Sequence, residues 1–216
     1  MKQDSSLPQF FSPERTAAFS DAILAVVITI LVLGIDIPPD SADTIAELLV
    51  LREKFVHQIL LYFVTFWLVA MYWSQHNLLF ASIARIDRTL VVLNMFFLLP
   101  VTLLPFVIQL MGTFRTEWRT VLLFGFTNLW AAFLFERMSA HVAARPESHK
   151  GAQTALIARR GRQGSRFFAF VMVLGVLIAR LDVKLGSALF LVMPAVYFYS
   201  FIFDPPYLRL DPPSAK

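Results

Sequence analysis

Six stretches of about 20 apolar residues, parted by charge, proline or glycine, run through almost the whole 216-residue chain. That is the length of helix needed to cross a bilayer core about 30 Å thick. Their approximate limits are 15–36, 55–78, 90–111, 119–140, 166–181 and 186–203. Backbone in lipid must satisfy its own hydrogen bonds, so the fold class that follows is an all-α integral membrane protein with six transmembrane helices. Composition agrees: 57% of residues are hydrophobic, 22 are Phe, and 16% are charged, where soluble domains carry roughly 25% charge. The surplus apolar side chains must face lipid rather than water. The absence of cysteine excludes disulfides, thiolate metal sites and cysteine nucleophiles. A net charge of +4 suggests nucleic acid only until the basic residues are placed. They sit in loops beside apolar segments, as membrane topology requires, so no nucleic-acid partner is expected.

With six spans both termini lie on one side, together with the 79–89 turn and the 141–165 loop. That side takes most of the lysines and arginines, leaving Arg52, Lys54, Arg115, Arg119, Arg180 and Lys184 for the other. Positive charge stays inside, so both termini are expected to be cytoplasmic. The domain reading is a cytoplasmic tail over 1–14, a membrane domain over 15–203 and a cytoplasmic tail over 204–216. The first 14 residues lack the basic start and cleavage site of a signal peptide, so the first span is expected to be retained. Asp36, Asp40, Asp43 and Glu47 then face outward, where Pro38-Pro39 ends the first helix. The 141–165 loop, with Pro146, Gly151, Gly161 and Gly164 among arginines, reads first as a solvated linker. Its alternative reading is an anionic-lipid contact.

The first helix is chemically unlike the rest. Between Ala22 and Ile35 the only polar side chain is Thr29, and this run covers only about 21 Å. To span, the helix must bring Phe19, Ser20 and Asp21 to the membrane boundary, where a carboxylate is costly without a partner. Arg15 points to a different face. The second helix ends at matching depth with Trp73, Ser74, Gln75, His76 and Asn77, and the third begins with Asp87, Arg88 and Asn94. A polar support cluster of Trp73, His76, Asn77 and Asn94 is therefore expected to tie the first helix to the second and third. One face of the first helix carries Phe19, Ile23, Val26, Ile30, Leu33 and Ile37 as a continuous stripe. A second face carries the small residues Ala18, Ala22, Ala25 and Thr29, which allow close approach of another helix.

Arg15, Phe19, Ser20 and Asp21 form an RxxxFSD sequence at the head of the first span. This resembles the signature of the lysosomal and prokaryotic potassium channel family of transmembrane protein 175, in particular its prokaryotic single-repeat members. Trp73 and His76 carry a weaker likeness. The resemblance implies a homotetramer with four first helices around a central pore, in a prokaryotic cell membrane. It also implies a potassium-selective cation channel whose constriction is apolar and which lacks a carbonyl filter. Carried over from the motif, the constriction falls on Val26, Ile30 and Leu33, and a hydroxyl layer falls on Thr29. The family has Ile or Leu at the first ring, so Val26 implies a wider one. Potassium is then the permeant ion. No cofactor is implied, and the partners are other copies of the chain, the bilayer and monovalent cations.

Other constellations carry less. Ser20 and Asp21 diverge by about 100° on one helix, which argues against a hydrolase triad with His76, and no enzyme activity is expected. The histidines are His57, His76, His141 and His149, and the first two lie near opposite ends of one helix, so a shared metal ion is not expected. A secondary transporter, or a membrane scaffold without transport, is the alternative. The transporter reading calls for an internal repeat and broken helices, and neither is visible here.

Overall fold

A computed structural model describes residues 12–36, 44–190, 194 and 196. Pro38, Pro39, Asp40 and Asp43 lie outside the described residues, as do both tails and most of the predicted last span. Helix α1 (Pro13–Leu31) continues as a 3-10 turn over Val32–Gly34. It is followed by α2 (Ile45–Ala81), α3 (Arg88–Thr113), α4 (Trp118–Ala143), a 3-10 turn at Pro146–Ser148 and α5 (Gln153–Ala179). A further helix, α6, is described over 183–190. Among the described residues, five helices are long and apolar enough to cross a membrane.

Helix starts follow local chemistry. The Ser12 hydroxyl accepts from the Arg15 amide at 3.2 Å, with Pro13 in the first turn. Thr44 accepts from the Glu47 amide at 3.2 Å, and Asp87 from the Leu90 amide at 3.0 Å. Helix α2 is 37 residues long, about 55 Å of helix, so it exceeds the bilayer core and starts well before residue 55. Pro100 and Pro105 both lie inside α3, which stays helical through them.

Helix α3 is the middle of the bundle, packed against α1, α2 and α4, while α5 packs mainly on α4. Phe97 and Val101 of α3 are completely enclosed. The 141–165 linker is corrected here: α4 runs to Ala143 and α5 starts at Gln153, which leaves only 144–152 as connection. Of the glycines that read as loop residues, Gly161 serves close packing instead. A Cβ on Gly161 would lie 2.8 Å from Ser139 Oγ of α4. One on Gly125 of α4 would overlap a Val176 methyl of α5. The connection is also tied down, since Ala84 N–H donates to Ser148 O at 2.8 Å and Lys150 N–H to Ser82 O at 2.9 Å. The Thr154 hydroxyl donates to the same Ser82 carbonyl at 2.7 Å.

Candidate pore-lining helix and its polar anchors

Helix α1 shows the rest of the chain one face only. Thr16, Ser20, Leu24, Val27 and Leu31 recur at intervals of four and three, and all are buried against α2 and α3. The opposite band is uncovered: Val26 is 54% exposed, Ile30 44% and Leu33 77%. Ala18, Ala22, Ala25 and Thr29 are exposed as well. The apolar stripe and the small-residue face are therefore neighbouring parts of one open band. Ile23 is the exception among the described residues of the stripe, partly buried against the core, and Ile37 lies outside them. The stripe forms one wall of a groove of about 620 Å³, with Thr102, Pro105, Phe106 and Gln109 of α3 opposite. The Thr29 hydroxyl donates to Val26 O at 2.8 Å. Its proton is thus committed to the helix, and what Thr29 turns outward is an acceptor oxygen.

The N-terminal end of α1 is anchored by polar contacts. Trp73 Nε1–H donates to Asp21 Oδ1 at 3.0 Å. Beside it the contacts form a chain: Asn94 Nδ2 donates to Ser20 Oγ at 2.9 Å, and Ser20 Oγ donates to Thr16 O at 3.0 Å. With its amide nitrogen so used, Asn94 turns Oδ1 to His76 Nε2 at 2.8 Å. That assigns the histidine proton to Nε2 and makes Nδ1 an acceptor, which has no protein partner. The ring is completely enclosed and stacks on Phe80, with centroids 4.2 Å apart. Asn94 thus separates Ser20 from His76, leaving no nucleophile and base pair.

One member stands apart from the expected cluster, and the nearby Asp87 does not join it. Asn77 is exposed on α2 and takes no part in this chain of bonds. Counting along the helix explains it: Asn77 lies about 100° round from His76, on the far side of Trp73. Asp87 is drawn to α4 instead, where it accepts from His141 Nε2 at 3.0 Å and from Arg145 Nη1 while capping α3. Burial pushes the Asp87 carboxyl up, but the Leu90 amide, His141 and Arg145 outweigh it, and its pKa lies below the ordinary carboxylate value. Arg15, the first residue of the signature, is exposed at the start of α1.

Sequence reasoning missed the second anchor, at the other end of α1. Asp36 Oδ2 accepts from Lys54 Nζ at 2.9 Å and from Gln58 Nε2 at 3.0 Å, while Gln58 Oε1 accepts from the Asp36 amide at 3.3 Å. Lys54 first, then Gln58, hold the Asp36 carboxyl below its usual range. A polar residue such as Gln58 in the apolar 55–78 run was the available signal. A third missed contact joins Tyr72 OH of α2 to Asn128 Oδ1 of α4 at 2.7 Å in the core. Between its two anchors α1 has only apolar packing on the bundle. Among the described residues, no group of three His, Asp or Glu side chains is placed to hold a metal ion.

Residues 15–105 match the profile of the family described as endosomal/lysosomal potassium channel TMEM175. This segment is similar to the TMEM175 family. It holds α1, both anchors and most of α3. The endosomal/lysosomal proton channel TMEM175 of Rattus norvegicus is 35% identical over 108 residues, which is 48% of this chain and 20% of that protein. A potassium channel of Streptomyces collinus is 32% identical over 130 residues, 60% of this chain and 53% of that one. The matches therefore span about one fifth of the animal TMEM175 relative and about half of this bacterial one. The fold is shared with the crystal structure of a lysosomal potassium-selective channel TMEM175 homolog from Chamaesiphon minutus. There the TM-score is 0.72 at 21% identity, over 87% of this chain and 96% of that one.

Proposed function

We propose that four copies of the chain assemble with their α1 helices around a central axis and conduct potassium passively through it. The observation that carries this is the open band on α1. Val26, Ile30 and Leu33 lie on successive turns and are uncovered in the single chain, although the opposite face of the same helix is fully packed. Repeated around an axis, these side chains make apolar rings over roughly 10 Å of pore. Such rings resist wetting, and a slight rotation or expansion of the helices admits water and ions. The outward acceptor oxygen of Thr29 lies between Val26 and Ile30, where it suits a partly dehydrated cation. No backbone filter is needed, and the chain has no TVGYG-like loop. The family that the α1–α3 segment resembles and the bacterial relatives named as potassium channels support the same reading. The one-sided bias of the basic residues supports a reading with both termini cytoplasmic, and the protein is read as a multi-pass channel of a prokaryotic cell membrane that needs no cofactor.

The test is flux from liposomes holding purified protein under a potassium gradient. Wild type is expected to release potassium without a coupled ion. Ile30→Asn, which wets the middle ring, is expected to raise conductance and weaken the preference for potassium over sodium. Unchanged currents in that variant remove this face from the pore. Saturable coupled uptake would mark a transporter, and silence a scaffold. A pH dye in the same vesicles reads proton passage, which the name of the animal relatives makes a necessary control.

A further inference from the structure

We propose that the N-terminal half of α5 binds the headgroup of an anionic phospholipid of the bilayer, with the acyl chains lying along the exposed apolar stripe that continues from it. The stripe is Arg159, Gln163, Arg166, Phe170, Leu174 and Leu177, spaced by four, three, four, four and three, and every member is exposed. The opposite face, including Ala158, Phe168 and Met172, is buried. The outward face is thus cationic for two turns and apolar afterwards. The change falls between Arg166 and Phe170, which is 64% exposed. Exposed Phe167 stands beside the same boundary. A helix standing in lipid with its basic end at the headgroups has this pattern.

The charge balance selects the headgroup. Arg162 Nε and Arg166 Nη2 both donate to one oxygen, Glu136 Oε1, at 3.1 and 2.9 Å. One carboxylate therefore serves two guanidiniums, each with five N–H donors, so most of those donors are left for another acceptor. Arg159 adds a third guanidinium, with no acidic partner among the described residues. Helix α5 contains no Asp or Glu, so nothing on it receives the amine of a zwitterionic headgroup. A phosphodiester fits the guanidinium fork, and Arg binds it with two parallel bonds. The apolar stripe just beyond distinguishes a lipid from a free phosphate. Position agrees as well: α5 packs on α4 and α2, while α1 packs on α2 and α3. In the assembly proposed above, on which this one point rests, α1 is central and α5 is turned outward to lipid.

The test uses the full-length protein in nanodiscs of phosphatidylcholine, alone or with phosphatidylglycerol, and counts lipids retained on release into the gas phase. Wild type is expected to retain phosphatidylglycerol in preference. Arg159→Gln, at an exposed side chain outside any ion pair described here, is expected to cut that preference about fivefold, the weight of one basic side chain at an anionic surface. Glu136→Gln, which frees both guanidiniums, is expected to raise it. Arg119→Gln, at an exposed arginine with its own Glu117 partner, is expected to leave it unchanged. Helical circular dichroism and elution volume check that each variant is folded. The proposal is overturned by equal retention of both lipids in wild type, or by an Arg159→Gln preference within experimental error of wild type. Displacement of the lipid by inorganic phosphate, or a crosslink from Arg159→Cys to a second copy, overturns it too. The readout is lipid retention, so it stands or falls separately from conduction.

Discussion

Asn94 is completely buried and joins three helices, accepting from His76 of α2 and donating to Ser20 of α1. Asn94→Ala removes both bonds. In a membrane each is worth about 0.6 kcal/mol on average and up to about 1.7 kcal/mol. The larger loss is on the partner left behind. His76 Nε2–H remains enclosed against Phe80 and Phe97 without an acceptor, a desolvation cost of about 1–3 kcal/mol. The expected destabilisation is therefore about 2–4 kcal/mol, and at about 2–4 °C per kcal/mol for a chain of this size the melting temperature falls by about 5–15 °C. The assay is the fraction of protein still eluting in its native peak after heating in detergent. Trp73→Phe is the internal comparison. It removes one bond, to Asp21, from an indole that is 44% exposed, and is expected to cost no more than about 1 kcal/mol. Ser20→Ala, made alone and together with Asn94→Ala, should show a coupling of about 0.6 kcal/mol or more. An Asn94→Ala loss under about 0.5 kcal/mol, or a Trp73→Phe loss as large as that of Asn94→Ala, refutes the reasoning, because water or lipid would then be satisfying these groups.

Two further predictions follow from the packing and the outlying carboxylate. Gly161→Val places a branched side chain where a single Cβ already meets Ser139 Oγ at 2.8 Å and Phe135 at 3.2 Å. Overpacking of this kind costs about 1–3 kcal/mol, and a variant melting at the wild-type temperature would show that α4 and α5 do not approach so closely. Asp87, faced by His141 and Arg145, has a folded-state pKa below the ordinary value, so the fold favours its ionised form. Its contribution is complete above about pH 4 and is lost as pH falls through the lower folded value. Melting from pH 7 down to pH 3 should show wild type losing more stability than Asp87→Asn, and equal losses would count against the ion pairs.

The apolar runs were enough to place five of the helices, because the hydrophobic period and the need to satisfy backbone in lipid act locally along the chain. The open stripe on α1 was legible for the same reason, and so was the debt of Asp21, Ser20 and His76, since a polar group at membrane depth requires a partner wherever it sits. Other features were decided by neighbours distant in sequence. Gly161 reads as a helix breaker until Ser139 of α4 is seen against it, and then it is a contact that lets α5 start at Gln153. Asp87 has no local reason to prefer His141, 54 residues away, over the nearer cluster. Asn77 fell outside that cluster because a few tens of degrees of helix rotation decide which side chains reach a contact. Gln58 and Lys54 meet Asp36 only because α2 is long enough to stand beside the far end of α1. Local chemistry thus determined which segments are helices and which polar groups needed partners. Helix length, rotation and crossing selected the partners, since those are properties of pairs of elements and are encoded in no single segment.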